Sequence, residues 1–433
     1  MRFLTSTGHS RLFAFALLTV VALSGCGGSK TTLVVPDPSA TTGLPAPSAA
    51  GPVNTYSGAQ SPGAWTLTLD NTKNTFSYQP VTYPASATTG SIQAANGFTT
   101  LGTTGGYALE VEGRAAILRP GGVTTPIVFA VPQTECYSIT GRVRFQYLAM
   151  SVGPSQPIRS TDGPGLEYGS IGASTDSTGK SWQFDDMQGT AVSGPVSIAG
   201  ICSASNSQAA ISFTGQQSIL NDQWSNLTTT LPANTQSNVW VGPSGFFVAD
   251  QSDPTAAPPN GASVAGVVEP ATALNTTAVA AQTYSGFLYE TATLGDPAYN
   301  SVAAPANTLP VSFGQVVASS GTTMIGGEFP NDDVTQTPNS DMMIDLGSQD
   351  ATYNGLYLSV SITVLDPAQN CANYTGPGES AASGINAQGY ATCTFSGMAI
   401  VGNPEGNYAL FISAYNWAAQ LGGAPMQIYL FQQ

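Results

Sequence analysis

The stretch WTLTLDNTKNTFSY at residues 65–78 carries the clearest structural signal in the chain. Its apolar residues fall at every second position on both sides of the polar tetrad 71–74. A period of two places successive side chains on opposite faces of a pleated strand. The stretch therefore predicts a β-hairpin with one dry face and one wet face.

The same alternation recurs at residues 107–112, 142–147 and 356–365, whereas helical periodicity is hard to find after residue 54. Turns rich in Gly, Pro, Asn and Asp separate these stretches, and no amphipathic helices lie between them. Such a pattern is typical of antiparallel sandwiches or barrels. We expect an all-β protein with two antiparallel β-sandwich or β-barrel domains in tandem, after a disordered N-terminal tether.

The domain boundaries are predicted from composition. The turn-rich stretch 250–262 is interpreted as a loop that closes the first domain, and 270–282, where small residues dominate, as the linker. We therefore expect β domain 1 at 54–269, the linker at 270–282 and β domain 2 at 283–433. The tetrapeptide TYSG at 55–58 recurs at 283–286, but four common residues leave open whether the two domains are related repeats.

The N-terminus carries an export signal. Arg2 and Arg11 supply a positive region, residues 12–23 form an apolar segment, and small residues then precede a cysteine. An apolar run of this length is too short to span a bilayer and is typical of a signal peptide.

The four residues Leu23-Ser24-Gly25-Cys26 resemble the lipobox of bacterial lipoproteins. The resemblance covers only the leader. It implies that residues 1–25 are removed as a signal peptide and that Cys26 receives lipid, which attaches the protein to a membrane. Gly27, rather than Asp, favours the outer membrane under the sorting rule of some bacteria. The alternative is a plain secretory signal with an incidental cysteine.

Residues 26–53 are mostly Ser, Thr, Pro, Ala and Gly, with few large apolar side chains. Such a segment buries too little surface to offset the entropy of ordering it. We expect the lipidated Cys26 and a flexible tether over this range.

The charge of the chain excludes several functions. The mature chain would carry eight basic and twenty-five acidic side chains, and no histidine, because His9 leaves with the leader. Nucleic-acid binding needs cationic contacts to phosphate, so no nucleic acid is expected as a partner. Ser-His-Asp sites, Cys-His sites and His-ligated zinc are also excluded. We expect no enzymatic activity and no cofactor.

Four cysteines remain after lipidation, an even number in a compartment that permits disulfides. Because one pair falls in each half of the chain, we predict the disulfides Cys136–Cys202 and Cys371–Cys393. A thiolate metal site is disfavoured, since no CxxC spacing is present.

Three sets of residues are candidates for binding. Trp182, Trp224 and Trp417 lie in polar surroundings and could be exposed rings for a ligand. A second set consists of charged pairs, each sharing one face of a predicted strand: Glu110 and Glu112, and Arg142 and Arg144. These four would either line a barrel lumen as a polar ligand site or form ion pairs on a solvent face. The third set is a weak calcium candidate: Asp332, Asp333, Asp341 and Asp345.

The leading hypothesis is a lipid-anchored, non-catalytic lipoprotein of the bacterial cell envelope, with a structural or interaction role. Its partners would be the membrane, through the lipid, and a glycan or an envelope protein. The first alternative is a β module that binds a glycan or a small ligand. The second is a carboxylate-dependent enzyme acting on glycans, for which Asp185 and Asp186 are the first pair to inspect.

Overall fold

The computed structural model describes most of the chain from Gly43 onward. The described residues are 43–45, 51–59, 64–80, 88–91, 93–95, 98–101, 106–111, 113–119, 128–132, 135–152, 166–188, 197–205, 208–213, 236–253, 260–290, 311–330, 333–366, 391–416 and 424–433. All of them belong to one compact unit, Pro36–Gln433. Nearly all regular structure in it is strand, which confirms the all-β prediction. Among these residues no helix has both the length and the apolar character that a membrane span requires.

The first nine strands form a sheet that we call the N-terminal sheet. Its strands are β1 (Val53–Ala59), β2 (Ala64–Asp70), β3 (Thr75–Pro80), β4 (Thr88–Ser91), β5 (Gln93–Ala95), β6 (Phe98–Leu101), β7 (Gly106–Val111), β8 (Ala115–Arg119) and β9 (Val128–Val131). The predicted hairpin is present as β2 and β3, with Leu69 opposite Phe76.

The N-terminal sheet curls back on itself. Its strand order runs from β4 at one edge, through β1 and β9, to β5 at the other edge. Ser91 ends β4 and Gln93 begins β5, so at most about 7 Å of chain joins the two edges. The edges must therefore meet, and β4 with β5 takes the place of one strand in a nearly closed ring.

Two closed eight-stranded barrels follow. The middle barrel consists of β10 (Val143–Val152), β11 (Leu166–Thr175), β12 (Ser181–Gln188), β13 (Ser197–Ser205), β14 (Gln208–Phe213), β15 (Gln236–Val241), β16 (Phe246–Asp253) and β17 (Asn260–Val268). The C-terminal barrel consists of β18 (Tyr284–Glu290), β19 (Val311–Ser320), β20 (Thr323–Glu328), β21 (Met342–Asp345), β22 (Leu356–Asp366), β23 (Ala391–Gly402), β24 (Ala409–Asn416) and β25 (Ala424–Gln432). In each barrel every strand pairs antiparallel with the next, and the last strand pairs with the first. The prediction of tandem antiparallel β domains is confirmed, and of the two architectures left open the structure has barrels.

Packed side chains occupy the interior of both barrels. In the middle barrel these include Phe145, Tyr147, Trp182, Phe184 and Phe247, all essentially inaccessible to solvent. The C-terminal barrel is filled by aliphatic and aromatic residues and is covered at one end by the short helix α1 (Thr276–Ala280). Val279 and Ala280 of α1 belong to that interior core, and the Tyr284 hydroxyl donates to the Val279 carbonyl at 2.7 Å.

The three sheets share a second core formed by their outer faces. Along β16, Phe246 and Val248 face this shared core, whereas Phe247 and Ala249 face the barrel interior. This arrangement explains why the strand is a continuous apolar run instead of an alternation, because both of its faces are buried. Phe129 of β9 reaches both barrels: its ring centroid lies 5.9 Å from that of Phe246 and 5.1 Å from that of Phe411.

Candidate functional site

The best-defined candidate site lies at one end of the middle barrel. At this end β10 begins, β17 ends, and the short turns 176–180 and 242–245 connect strands, so we call it the turn end. A non-strand segment, residues 136–140, precedes β10 and lies across the turn end; we call it the crossing segment. Its contacts reach three different strands.

The crossing segment is fixed by one covalent and two hydrogen bonds. The predicted disulfide between Cys136 and Cys202 is present and ties the segment to β13, with the two Cα atoms 5.8 Å apart. The Tyr137 hydroxyl donates to the carbonyl of Val241 at the end of β15. The Ile139 amide donates to the Thr175 hydroxyl at the end of β11, at 2.9 Å. The barrel is therefore covered at this end by a segment bound on several sides.

Trp182 lies beneath the crossing segment, and the prediction that its ring is exposed was wrong. The side chain is 1% exposed, stacks on Phe184 with centroids 5.8 Å apart, and meets Tyr137 edge-on at 5.7 Å. Its Nε1 donates to the Gly179 carbonyl at 2.9 Å, so the polar atom of the indole is satisfied within the protein. The polar residues beside it in the sequence belong to the turn and to the outward face of β12, which explains the error.

A residue from the N-terminal segment also belongs to this site, although the pattern of the sequence around it did not predict this. Leu44 is 5% exposed and packs in the interior core of the middle barrel with Ile139 and Val143. The preceding carbonyl, of Gly43, accepts a hydrogen bond from the Thr140 amide at 2.8 Å. The expectation of a flexible tether over 26–53 is therefore wrong at residues 43–45. The available signal was one leucine among small residues. Burial of one leucine contributes enough free energy to order only a short stretch of chain, which is why the ordered part is short.

The charged groups at the turn end are few and nearly balanced. Asp176 accepts hydrogen bonds from the Thr178 hydroxyl at 2.9 Å and from backbone amides, which lowers the pKa of its carboxyl group. Burial raises the pKa of the Tyr137 hydroxyl well above its ordinary value, so this group stays neutral. Arg144 forms an ion pair with Glu269 at 3.0 Å between Nη1 and Oε2.

The structure separates the charged residues that the sequence analysis grouped. Glu110 lies on β7 of the N-terminal sheet, where it accepts hydrogen bonds from the Tyr56 hydroxyl and from Asn54 Nδ2. Arg144 lies on β10 of the middle barrel, and Arg142 precedes that strand as an exposed residue. β7 pairs with β6 and β8, whereas β10 pairs with β11 and β17. Glu110 and the two arginines therefore line no common lumen; an alternating pattern identifies a strand but not its neighbours.

The calcium candidates are engaged locally. Asp333 accepts from the Thr335 amide and hydroxyl at 3.0 and 2.6 Å, and Asp345 accepts from the Thr322 hydroxyl at 2.6 Å. Burial raises the pKa of Asp341. β21 separates Asp341 from Asp345 by about 13 Å, at roughly 3.3 Å per residue. In the part of the chain that the structure describes, no three His, Cys, Asp or Glu residues are grouped so as to hold a metal ion.

Several candidates lie outside the described residues, or have side chains outside them. These are Cys26, Glu112, Asp185, Asp186, Trp224, Asp332, Cys371, Cys393 and Trp417. The lipidation of Cys26 and the disulfide Cys371–Cys393 stay predictions.

The turn end offers an attachment surface more than a reaction centre. Its polar groups hydrogen-bond to the backbone or to each other, and its large side chains fill the barrel interior. One large aliphatic side chain described there is exposed, that of Ile201 beside Cys202, at 51%. This arrangement can hold a segment of chain in place, and Leu44 is the side chain so held.

Comparisons with known proteins add little. No protein-family model matches the chain, and no curated protein matches it in sequence. Among solved structures, it is similar to the crystal structure of a double mutant of the vaccine antigen Transferrin Binding Protein B from Haemophilus parasuis Hp5. The identity is 6% and the TM-score 0.22, over 89% of this chain and 76% of that one. At that TM-score the likeness supports no conclusion about this protein.

Proposed function

We propose that this protein is an exported lipoprotein of the bacterial cell envelope, anchored through lipid on Cys26, with a non-catalytic structural or interaction role. The observation that carries the proposal is the leader, in which an apolar segment is followed by Leu23-Ser24-Gly25-Cys26. The tandem barrels are the folded body that this anchor would hold at a membrane.

The interior of the barrels supports a non-catalytic role. Both interiors are packed with apolar side chains, whereas a lumen that binds a small ligand needs open volume lined by a few polar groups. The mature chain also has no histidine, the commonest acid–base residue of hydrolases.

The surface favours no glycan platform in the described residues. The large apolar side chains that are exposed there are aliphatic or Met, namely Val53, Ile201, Val317, Met343 and Leu358. Stacking on sugars requires exposed aromatic rings. We therefore propose that this protein acts by interacting with another protein through its surface.

The anchor is tested by expressing the complete chain in a bacterium with a labelled fatty acid. We expect label on the mature protein, an N-terminus at Cys26, and recovery in the membrane fraction. Cys26→Ser is expected to lose all three, whereas Cys393→Ser is the matched cysteine control that should keep them. An unmodified Cys26 in the mature protein would refute the anchor.

The choice between interaction and glycan binding is tested on a glycan array with the purified mature chain. We expect no binding. Specific glycan binding that is lost in Trp224→Ala or Trp417→Ala would replace the proposed role with the glycan-binding alternative.

A further inference from the structure

Three apolar side chains form a row across the outer face of the C-terminal barrel. Val317 of β19 lies opposite Ile325 of β20, and Ile325 lies opposite Met343 of β21. Val317 is 39% and Met343 is 42% exposed, and Ile325 is half-buried between them. Side chains directly opposite each other on neighbouring strands are in contact. The three therefore form one continuous apolar surface about 10 Å long, which we call the apolar row.

Two other exposed apolar side chains, in contrast, are isolated. Ile201 of β13 lies between Ser181 and Ser212 on the neighbouring strands. Val53 lies opposite Asp70. Single exposed apolar residues are normal on protein surfaces, whereas contiguous ones mark interaction sites. The apolar row is therefore a better candidate for an interaction surface than either of these residues.

The other two sheets leave the apolar row uncovered. From the C-terminal barrel, the core that the three sheets share takes residues of β18, β22, β23, β24 and β25, but no described residue of β19, β20 or β21. Met324, Met342 and Ile344, which alternate with the row along the strands, belong to the barrel interior. The row thus lies on a part of the barrel wall that does not take part in the packing of one sheet on another.

Acidic groups flank the apolar row on both sides along the strands. On one side a Cβ at Gly327 would collide with Asp341 Oδ1, so the Asp341 side chain lies over that glycine. On the other side Thr323 lies opposite Asp345. The two aspartates stand two residues before and two residues after Met343 on the same face of the chain, about 13 Å apart. The row therefore has a carboxyl group near each flank.

No basic group of the C-terminal barrel balances these carboxyl groups. No Lys, Arg or His follows Lys180, so the whole barrel carries acidic groups only. A second copy of the barrel on this face would bring acidic groups against acidic groups, and like charges placed together oppose association. Anionic lipid head groups would be repelled for the same reason. Charge complementarity therefore favours a basic partner.

The size of the apolar row favours a short segment as the occupant. Stable interfaces between folded proteins bury about 1,200 Å² or more in total. A row of three side chains offers much less apolar surface, and its length matches a few residues of extended chain. In an extended chain alternate residues share a face, so residues two positions before and after a central one lie about 13 Å apart. That spacing equals the separation of Asp341 and Asp345.

We propose that the apolar row binds a short, extended segment of a partner protein, in which an aliphatic side chain stands between basic residues two positions to either side. The proposal rests on the interaction role proposed above and specifies the chemistry of the partner. The aliphatic side chain packs on Ile325 and Met343. The two basic groups lie near Asp341 and Asp345.

A peptide titration of the complete mature chain tests this surface. The probe is the capped peptide Lys-Thr-Leu-Thr-Lys, and NMR of an isotope-labelled methyl group on Met343 reports binding. We expect a saturable shift of the Met343 signal, which weakens at higher salt because the charges are exposed. The capped peptides Glu-Thr-Leu-Thr-Glu and Lys-Thr-Ser-Thr-Lys should each bind more weakly. A Met343 signal that does not move with the probe, or that moves equally with the control peptides, would overturn the proposal.

Substitutions separate the apolar contribution from the charge contribution. Asp345→Asn is expected to weaken binding of the probe about two- to fivefold, as loss of an exposed ion pair does. Val317→Ser should weaken it about threefold, because less apolar surface is buried. The matched controls lie on the middle barrel: Asp176→Asn, at a carboxylate that also accepts from a threonine hydroxyl, and Ile201→Ser. Binding that is insensitive to both Asp345→Asn and Val317→Ser would refute the proposed surface.

Failure of this proposal is distinguishable from failure of the proposed function. The titration uses protein without lipid, so an unmodified Cys26 would refute the anchor and leave binding of the probe unchanged. Absence of probe binding would likewise leave acylation of Cys26 unchanged. A Met343 signal that shifts with protein concentration in the absence of peptide would show that a second copy covers the row, and this result would also overturn the proposal.

Discussion

Gly58 and Gly286 occupy equivalent positions in the first strands of two different sheets. Gly58 of β1 lies opposite Ala130 of β9, and Gly286 of β18 lies opposite Leu430 of β25, so each meets the last strand of its own sheet. Each belongs to one copy of the repeated tetrapeptide TYSG. The close approach of the closing strand explains both glycines, because a Cβ at Gly58 would lie 2.6 Å from Ala130 Cα.

Substitution of either glycine is expected to weaken ring closure. A Cβ at Gly286 would lie 2.9 Å from Leu430 Cα, and backbone cannot move aside as a flexible side chain can. We expect Gly58→Ala and Gly286→Ala each to lower the free energy of unfolding by about 1–3 kcal/mol, as overpacking does. Urea unfolding followed by circular dichroism measures the change. Gly51→Ala, whose Cβ would have 3.5 Å to its nearest neighbour, should be near neutral.

Loss of the Cys136–Cys202 disulfide is expected to destabilise the middle barrel. The bond spans 66 residues of sequence, and in the chain-entropy picture a loop of that length contributes about 4 kcal/mol. The double variant Cys136→Ser, Cys202→Ser should have a free energy of unfolding that is lower by that amount, measured as a lower urea midpoint. Peptide mapping without reductant provides the control, since it should recover Cys136 linked to Cys202. Recovery of both as free thiols would contradict the structure.

Burial of Trp182 predicts a strong effect of truncation. Trp182→Ala removes a filled interior volume and is expected to cost about 3–5 kcal/mol. Trp182→Phe should cost less, because a ring remains against Phe184 while the hydrogen bond to Gly179 is lost. Ser177→Ala, on the exposed turn nearby, should change stability by less than about 0.5 kcal/mol. A Trp182→Ala protein as stable as the unsubstituted one would contradict the buried position.

Two aspartates of the C-terminal barrel predict opposite pH effects. Burial raises the pKa of Asp341, so the folded state holds its proton more tightly, and stability falls as the pH rises above about 4, the ordinary aspartate value. Hydrogen bonds from Thr335 and Gln336 lower the pKa of Asp333, so its contribution is present above that value and is lost as the pH falls through the lowered pKa.

The asparagine variants distinguish the two signs. Asp341→Asn should raise the urea midpoint at pH 7 and leave it nearly unchanged in acid, where Asp341 is protonated. Asp333→Asn should lower the midpoint at pH 7 and make the protein less sensitive to acid. Midpoints measured from pH 7 downward decide the matter, and equal signs for the two variants would refute the assigned environments.

Local sequence predicted the strands well. The hairpin at 65–78, the strand at 356–365 and the lack of long helices among the described residues all follow from the period of the apolar residues, which is a local property of each strand. The disulfide at Cys136 was predictable because few cysteines are available. The two TYSG copies lie at equivalent positions in their sheets, but the sequence showed only that four residues match. The structure explains the match, because Gly58 and Gly286 each lie opposite the last strand of their own sheet.

Long-range pairing was not predictable from local pattern. β1 pairs with β9, the strand of the N-terminal sheet that is farthest from it in the sequence, and no feature of either strand's sequence identifies the other as its partner. For the same reason Glu110 and Arg144 were grouped although they lie in different sheets. Trp182 and Leu44 were misjudged because their burial is determined by the crossing segment, whose path depends on tertiary contacts with Cys202 and Val241.

The closure of the C-terminal barrel has a kinetic consequence. Tyr284 of the first strand pairs with Gln432 of the last, roughly 150 residues later, so the ring cannot close until the final residues are available. Pairings over such distances make folding slow. Under the export that we propose, the chain crosses the secretion channel unfolded, and the late pairing of β18 with β25 delays closure of the barrel until the last strand has left the channel.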